Sequence, residues 1–495
     1  MIRTAGRRSL VGFVAALALI ASACGTSVST RQARAEARED VARAGIVGRA
    51  AANTLAGDAT NGLTDVTTAG DTGAGGAGAG ATGSGGAVGA SGGPASAAGG
   101  SIGGAAAKAP SGGNGGATDV GITATEIRVG WVGTLTGPVP GLFRGALIGT
   151  QAYAAYLNSK GGLFGRRIRV LAGDDALDSG KNRAAHLQLK DKVFAFVGSF
   201  SVSDDGGASV LADCKCPDIG GGLSRARVAL PNNITPQPSP DGWRTGTYKY
   251  YMSRFPADVF THVAFFVSAI ESARVIAANE RKVLENLGMK IVYTREVQAN
   301  EYSFNNDVIQ MQSQGVKMLV WQGDVGNMGR MAKAIKDQGF TIPLANWGGA
   351  MYDENAFNIA TAPALEGAFI DNVYAMFRGE DAARVPQVAL MDTWMKKIDP
   401  NQSIDLFSLY GWLSARLFSE GMQKMGALAK RPALLTTLNT IGDWDADGII
   451  APVNIAKKKP ADCFMTIKVT NGKYLREYPT DRPYACEWGG FQYTK

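Results

Sequence analysis

The chain has 495 residues, 65 of them glycine, with 50 basic against 43 acidic side chains. That composition, with glycine at about twice its usual ~7% share, excludes a coiled-coil rod, and the lack of repeated long apolar runs excludes a multi-pass membrane protein. Nucleic acid is a poor partner for it: residues 1–24 hold three of the positive charges, and residues 121–495 carry a dispersed 41 basic against 36 acidic groups.

At the N-terminus Arg3, Arg7 and Arg8 precede an apolar run from Leu10 to Ala23. The run is too short to span a bilayer and has the form of a signal peptide over residues 1–24. Its end, Ala21-Ser22-Ala23-Cys24, resembles the bacterial lipobox, which implies lipidation of Cys24 and anchoring at the outer face of the cytoplasmic membrane. An ordinary secretory cleavage near Ala23 is the alternative.

Residues 25–120 read as a disordered Ala/Gly-rich tether. There are 19 glycines between Asp71 and Val120, and no Phe, Tyr or Trp between Ala15 and Gly130. Such a stretch buries too little apolar surface to offset chain entropy. Gln32 to Gly57 has the pattern of a short solvated helix, and a coil of the ~60 residues after it spans on the order of 40 Å. Gly73-x-Gly75-x-x-Gly78 and Gly78-x-Gly80-x-x-Gly83 match the dinucleotide fingerprint in letters only, since neither follows a strand.

Order is expected from near Ile122. The run Ile127–Gly133 reads as a strand, Leu142–Leu157 as a helix and Ile168–Ala172 as a strand. The same alternation continues with a helix over Ser179–Asp191, a strand over Val193–Gly198, a helix over Asp205–Asp213 and a strand over Pro217–Gly220. A second alternating run places strands at Val263–Val267, Lys290–Tyr293, Val316–Trp321 and Ile342–Ala345. Its helices are Glu271–Leu287, Phe304–Ser313 and Gly326–Gln338. Helices over Val385–Ile398, Ile404–Met425 and Pro432–Thr440 come late, followed by strands at Phe464–Val469 and Tyr474–Glu477. Two such runs predict an α/β protein of two doubly wound lobes with parallel central sheets, the chain crossing between them more than once.

Enzyme signatures are missing. The histidines are two, His186 and His262, no Gly-x-Ser-x-Gly elbow occurs, and Ser179-Gly180-Lys181-Asn182 is out of register for a phosphate loop. Asp174-Asp175 at a strand end is expected to order a turn rather than to act as an acid/base pair. Asp443-Trp444-Asp445-Ala446-Asp447-Gly448 opens like a calcium loop but has Asn454 where the bidentate glutamate belongs, so an acidic turn is expected, and no metal or cofactor. Lys457-Lys458-Lys459 reads as a solvated loop. Beyond Cys24 the cysteines are Cys214, Cys216, Cys463 and Cys486, which allow three pairings. Cys463 with Cys486 would close a loop of about 24 residues, worth roughly 3 kcal/mol; the state of Cys214 and Cys216 stays open.

Open α/β sheets bind ligands at the carboxyl ends of their strands. There the first lobe offers Thr134 and Thr136, then Ser199, Ser201, Val202 and Ser203, then Leu223 and Ser224. The second offers Trp321-Gln322-Gly323-Asp324 and Asn346-Trp347-Gly348-Gly349. Small polar and aromatic groups on two facing lobes describe a solute cleft.

Several segments, in order along the chain, resemble type I periplasmic solute-binding proteins, nearest to the leucine/isoleucine/valine-binding components of ABC importers. They are Ile127–Gly137, Asn158–Arg166, Asp174-Asp175, Phe196-Val197-Gly198, Asn327–Met331, Leu365-Glu366-Gly367, Tyr410-Gly411-Trp412 and Ile450–Asn454. The resemblance covers about 122–493 and implies lobes of 122–253 with 376–448 and of 254–375 with 449–495, joined by a multi-strand hinge. It further implies capture of a small polar solute (an amino acid, an amide or similar), delivery to an ABC importer permease, no catalysis, and a monomer. A sensing module that signals to a receptor is the alternative. By position it adds Leu142 to the contacts and points to Ser201, Val202, Leu223, Ser224, Asp324 and Trp347. Trp347 stands where amino-acid binders place a glutamate for the ligand's ammonium group, with Asp324 as a possible substitute.

Overall fold

A computed structural model describes residues 63–65, 107–137, 140–237, 241–298 and 301–493. The expected signal peptide with Cys24, the expected helix over Gln32–Gly57 and most of the expected tether lie outside these residues. Two pieces of the stretch expected to be a disordered tether are held to the domain: Leu63–Asp65 pairs antiparallel with Leu171–Gly173, and the chain is held again from Ala107. Ala107 O accepts a hydrogen bond from Phe164 N, and the buried guanidinium of Arg166 donates to the carbonyls of Asn114, Gly116, Thr123 and Ala427. One side chain thus supplies the fixed donors that residues without apolar bulk cannot supply themselves.

The first lobe is built on strands β2 (Glu126–Gly133), β3 (Arg167–Asp174), β4 (Ala195–Val197), β5 (Asp218–Ile219) and β6 (Asn233–Ile234). Helices α1 (Arg144–Ser159), α2 (Ser179–Leu189), α3 (Asp205–Cys214) and α4 (Arg225–Val228) connect them. The order is β3-β2-β4-β5-β6, all parallel, with β1 (Leu63–Asp65) antiparallel at the β3 edge. The chain then runs through β7 (Gly242–Arg244) and α5 (Gly246–Arg254) into the second sheet. Tyr248 and Tyr251 of α5 are buried with Val263 and Phe265 of the following strand and with Phe369.

In the second sheet the strands are β8 (Val263–Ser268), β9 (Ile291–Val297), β10 (Met318–Gln322), β11 (Leu344–Asn346) and β12 (Phe369–Asn372). Helices α6 (Glu271–Asn286), α7 (Asn305–Ser313), α8 (Val325–Asp337), α9 (Glu354–Ala360) and α10 (Ala362–Leu365) join them. The parallel order is β9-β8-β10-β11-β12, extended antiparallel by β15 (Met465–Thr470) and β16 (Lys473–Tyr478).

Between β12 and β15 the chain returns to the first lobe as α11 (Pro386–Ile398), α12 (Leu406–Met425) and α13 (Arg431–Leu438). Helix α12 starts at a capping box in which Asp405 and Ser408 satisfy each other's backbone. It packs on α1 at backbone distance: a Cβ on Gly149 would sit 2.0 Å from Ser408 O, and one on Gly411 2.0 Å from Ala146 O. Strands β13 (Asp443–Trp444) and β14 (Val453–Asn454) then form a hairpin, and β17 (Phe491–Tyr493) closes on β7. A bridge between Tyr374 and Ile450 pairs the second and third crossings.

Both disulfides close, Cys214 to Cys216 and Cys463 to Cys486. The core includes fully buried Trp131, Tyr153 and Trp412 in the first lobe and Trp321 in the second.

Candidate functional site

A parallel sheet has its ligand crevice where the strand order reverses, because there the two neighbouring connections leave to opposite faces. In the first sheet the reversal lies between β2 and β4, so the crevice opens at Thr134–Thr136 and Ser199–Ser203. In the second it lies between β8 and β10, at Ser268–Ile270 and Gln322–Asp324.

The first-lobe rim is one hydrogen-bonded unit. Ser199 Oγ accepts from Val132 N at 3.0 Å, and Thr134 Oγ1 donates to Asp175 at 2.7 Å. Asp175 also accepts from Leu177 N and Asn182 Nδ2. Asp174 accepts from the backbone of Leu135, Thr136 and Ala176 and from the Thr136 hydroxyl. Partial burial opposes its charge, but these donors outweigh it and hold the carboxyl below the usual Asp value. Asp174-Asp175 therefore orders the turn, as expected. Ser201 Oγ accepts from Ser203 N at 2.9 Å, and Ser224 caps α4 through Arg227 N.

The brace beneath this rim is a buried ion triad. Arg227 Nε and Nη2 bind Asp218 at 2.8 and 2.7 Å, and Nη1 lies 3.6 Å from Asp204. Asp204 in turn accepts from Leu223 N at 2.7 Å and Ser224 N at 2.9 Å. Burial disfavours the guanidinium charge, yet the two carboxylates more than compensate and hold Arg227 above its ordinary value. One arginine thereby fixes the loop after β4 against the loop after β5. Sequence spacing alone carried no sign of it.

In the second lobe Asp324 caps α8, accepting from Asn327 N and Asn327 Nδ2, both at 2.9 Å, and from Ser268 Oγ at 3.5 Å. The last bond joins the two sides of that sheet's reversal. Trp347 is buried, stacked on Trp321 with centroids 6.1 Å apart, and Trp321 stacks on Phe266 at 4.7 Å. Asp324 and Trp347 thus both belong to the second lobe, and the threonines, serines, Val202, Leu223 and Leu142 to the first.

A series of aromatic rings leads from the first-lobe rim to the second crossing. Phe143, next to Leu142, packs on Phe200 at 5.0 Å and Phe407 at 4.8 Å. Phe200 reaches Tyr410 at 5.3 Å, and Tyr410 reaches Tyr374 of the second crossing at 5.6 Å. Their only sequence signal is proximity: Phe143 and Phe200 adjoin candidate residues, and Tyr410 opens a segment shared with binding proteins.

Other candidate chemistry is spent internally. His186 is buried against Phe196, where burial and the Arg227 charge push it down to about 4, and His262 bonds Thr261 and Asp258 O. Asp447 pairs with Arg416 at 2.9 Å, and Asp443 accepts from Asn454 at 2.7 Å. The acidic turn over 443–448 is held by protein partners, and among the described residues no cluster of His, Cys, Asp or Glu is arranged to hold a metal.

Residues 126–473 match the periplasmic binding protein family. A Leu/Ile/Val-binding protein homolog 2 from Brucella abortus is 26% identical over 255 residues, covering 50% of this chain and 67% of its own. Among solved structures, a fatty acid ABC transporter substrate-binding protein from Thermomonospora curvata superposes with TM-score 0.62 at 18% identity, over 77% of this chain and 96% of its own. A branched-chain amino acid ABC transporter from Thermus thermophilus with bound valine gives 0.61 at 14%, over 71% and 95%.

Proposed function

The chain belongs to the periplasmic binding protein family, and from that premise we propose that it captures a small polar solute between its lobes and hands it to an ABC permease without chemical change. The observation that carries this reading is the alignment of both strand-order reversals with rims of polar and aromatic groups, one of them fixed by the Arg227 triad. Closure of two lobes on a solute is the motion that such a frame supports. We take the lobes to meet at the three crossings, with Thr134, Ser199, Ser201, Leu223 and Ser224 facing Asp324 and Trp347 across the cleft.

What the rim leaves free bears on the class of solute. The carboxylate of Asp324 is engaged by Asn327 and Ser268, and Trp347 supplies no charge. This favours an amide or another neutral polar solute over an α-amino acid, whose ammonium group needs a dedicated anion. The N-terminal segment supports export, with a lipid on Cys24 holding the protein at the outer face of the cytoplasmic membrane. Loss of labelled palmitate incorporation in Cys24→Ala is the matching test.

Mass spectrometry of small molecules released from the purified protein, followed by thermal shift with each one found, tests the function. A true solute at 100 times its Kd stabilises by about 2.7 kcal/mol. A protein that consumes the solute, or that no released molecule stabilises, overturns the reading.

A further inference from the structure

A cavity of about 230 Å³ lies at the free edge of the first sheet, lined by no residue of the two reversal crevices. One wall is the end of β6, with Thr235 and Gln237; the opposite wall is the turn after β14, with Lys457, Lys458 and Lys459. The lysine run is an exposed turn, and it is tied back to the domain. Lys458 Nζ donates to Leu230 O at 3.0 Å, which ties the turn to the sheet edge, and the turn is closed by a bridge between Asn454 and Lys459.

The charge of this lining is one-sided. Three lysines line the cavity with one carboxylate residue, Asp241. Lys459 is paired with Asp462 at 3.0 Å, whereas Lys457 makes no ion pair among the described residues. Two buried side-chain atoms of its lining residues lack a hydrogen-bond partner, the donor Gln237 Nε2 and the acceptor Asn233 Oδ1. Surplus positive charge around a concave polar surface attracts an anion, and lysine and amide donors recognise oxyanions by charge-assisted hydrogen bonds.

We propose that this cavity is an oxyanion site that takes a phosphate group, separate from the solute cleft. The two sources of that chemistry are a free phosphate compound and a phospholipid headgroup.

Calorimetric titration of the full chain with inorganic phosphate, at ionic strength matched with sodium chloride, tests it. The expected result is saturable binding that Lys457→Gln/Lys459→Gln weakens by about tenfold, with solute binding in the cleft unchanged. Both lysines are exposed, so the variant keeps the fold, and circular dichroism confirms that. Sedimentation with phosphatidylcholine vesicles, with and without phosphatidylglycerol, separates the sources: capture that needs phosphatidylglycerol and is lost in the variant assigns the headgroup. No saturable phosphate heat, or equal affinity in the variant, overturns the site. Neither result depends on whether a cleft solute is found.

Discussion

The ring of Tyr374 stands edge-on to that of Tyr410, centroids 5.6 Å apart, and joins the chain leaving the second sheet to the long helix of the first lobe. Edge-to-face pairs couple by about 0.5–1.5 kcal/mol beyond their buried area. A double-mutant cycle of Tyr374→Ala and Tyr410→Ala on folding stability is expected to return a coupling of that size. The same cycle on solute affinity reads only a change of the contact on binding, so strict additivity there would show that the rings stay paired, and a coupling that they separate or tighten, when solute binds.

Arg227 offers a sharper test of the rim. It is buried together with Asp204 and Asp218, so Arg227→Met strands two carboxylates. Removing one partner from a buried ion cluster costs about 3–5 kcal/mol, read as a lower urea midpoint with unchanged slope. Asp204→Asn keeps the volume but weakens the acceptor for Leu223 N and Ser224 N. It is expected to lower solute affinity more than stability. Loss of stability without loss of affinity would remove the loop from the cleft.

How legible was this in the sequence? The alternating strand and helix runs were readable to within a few residues, because β2, β3, β8 and β10 are apolar and bounded by turns. Helix α5, by contrast, puts Tyr248, Tyr250 and Tyr251 into a core that only the second sheet creates, so its lobe is not written in its own pattern. Strand β12 was missed because Asp371 and Asn372 are polar. They tolerate burial because Asp371 pairs with Arg244, 127 residues away, and Asn372 Oδ1 accepts from Val373 N. Local pattern cannot announce a partner at that distance. The site followed the same division: strand ends were legible, whereas the Arg227 triad and the aromatic bridge exist only once the chain has folded.

Glu280 should give the protein a recognisable pH response. It is buried on α6, accepting from Tyr248 OH and from Gln322 Nε2 at 2.6 Å. Burial, aided by the nearby Asp371 charge, pushes it up to about 8. The folded state thus holds this proton more tightly than the unfolded chain, whose Glu titrates near ~4.3. Its contribution to stability is complete below that lower value and is lost as pH rises through about 8. Thermal melts across that interval are expected to show Tm falling with pH in the wild type, and a flatter profile in Glu280→Gln. Identical slopes would assign the response to other groups.

Gly198 carries the last prediction, because two constraints meet there. Its φ of +72° is a left-handed conformation, and a Cβ would lie 2.0 Å from Thr150 Oγ1 on α1. The backbone term alone costs roughly 1–2 kcal/mol for a residue with a side chain, and overpacking adds to it. Gly198→Ala is therefore expected to lose more than ~2 kcal/mol and, by displacing Ser199–Ser203, to weaken solute binding by at least about tenfold. Thr150→Ala in the same chain relieves the collision but not the backbone strain, so it should recover part of the stability. Full recovery would mean that collision alone fixes this position. No loss of affinity in Gly198→Ala would mean that the loop after β4 does not touch the solute.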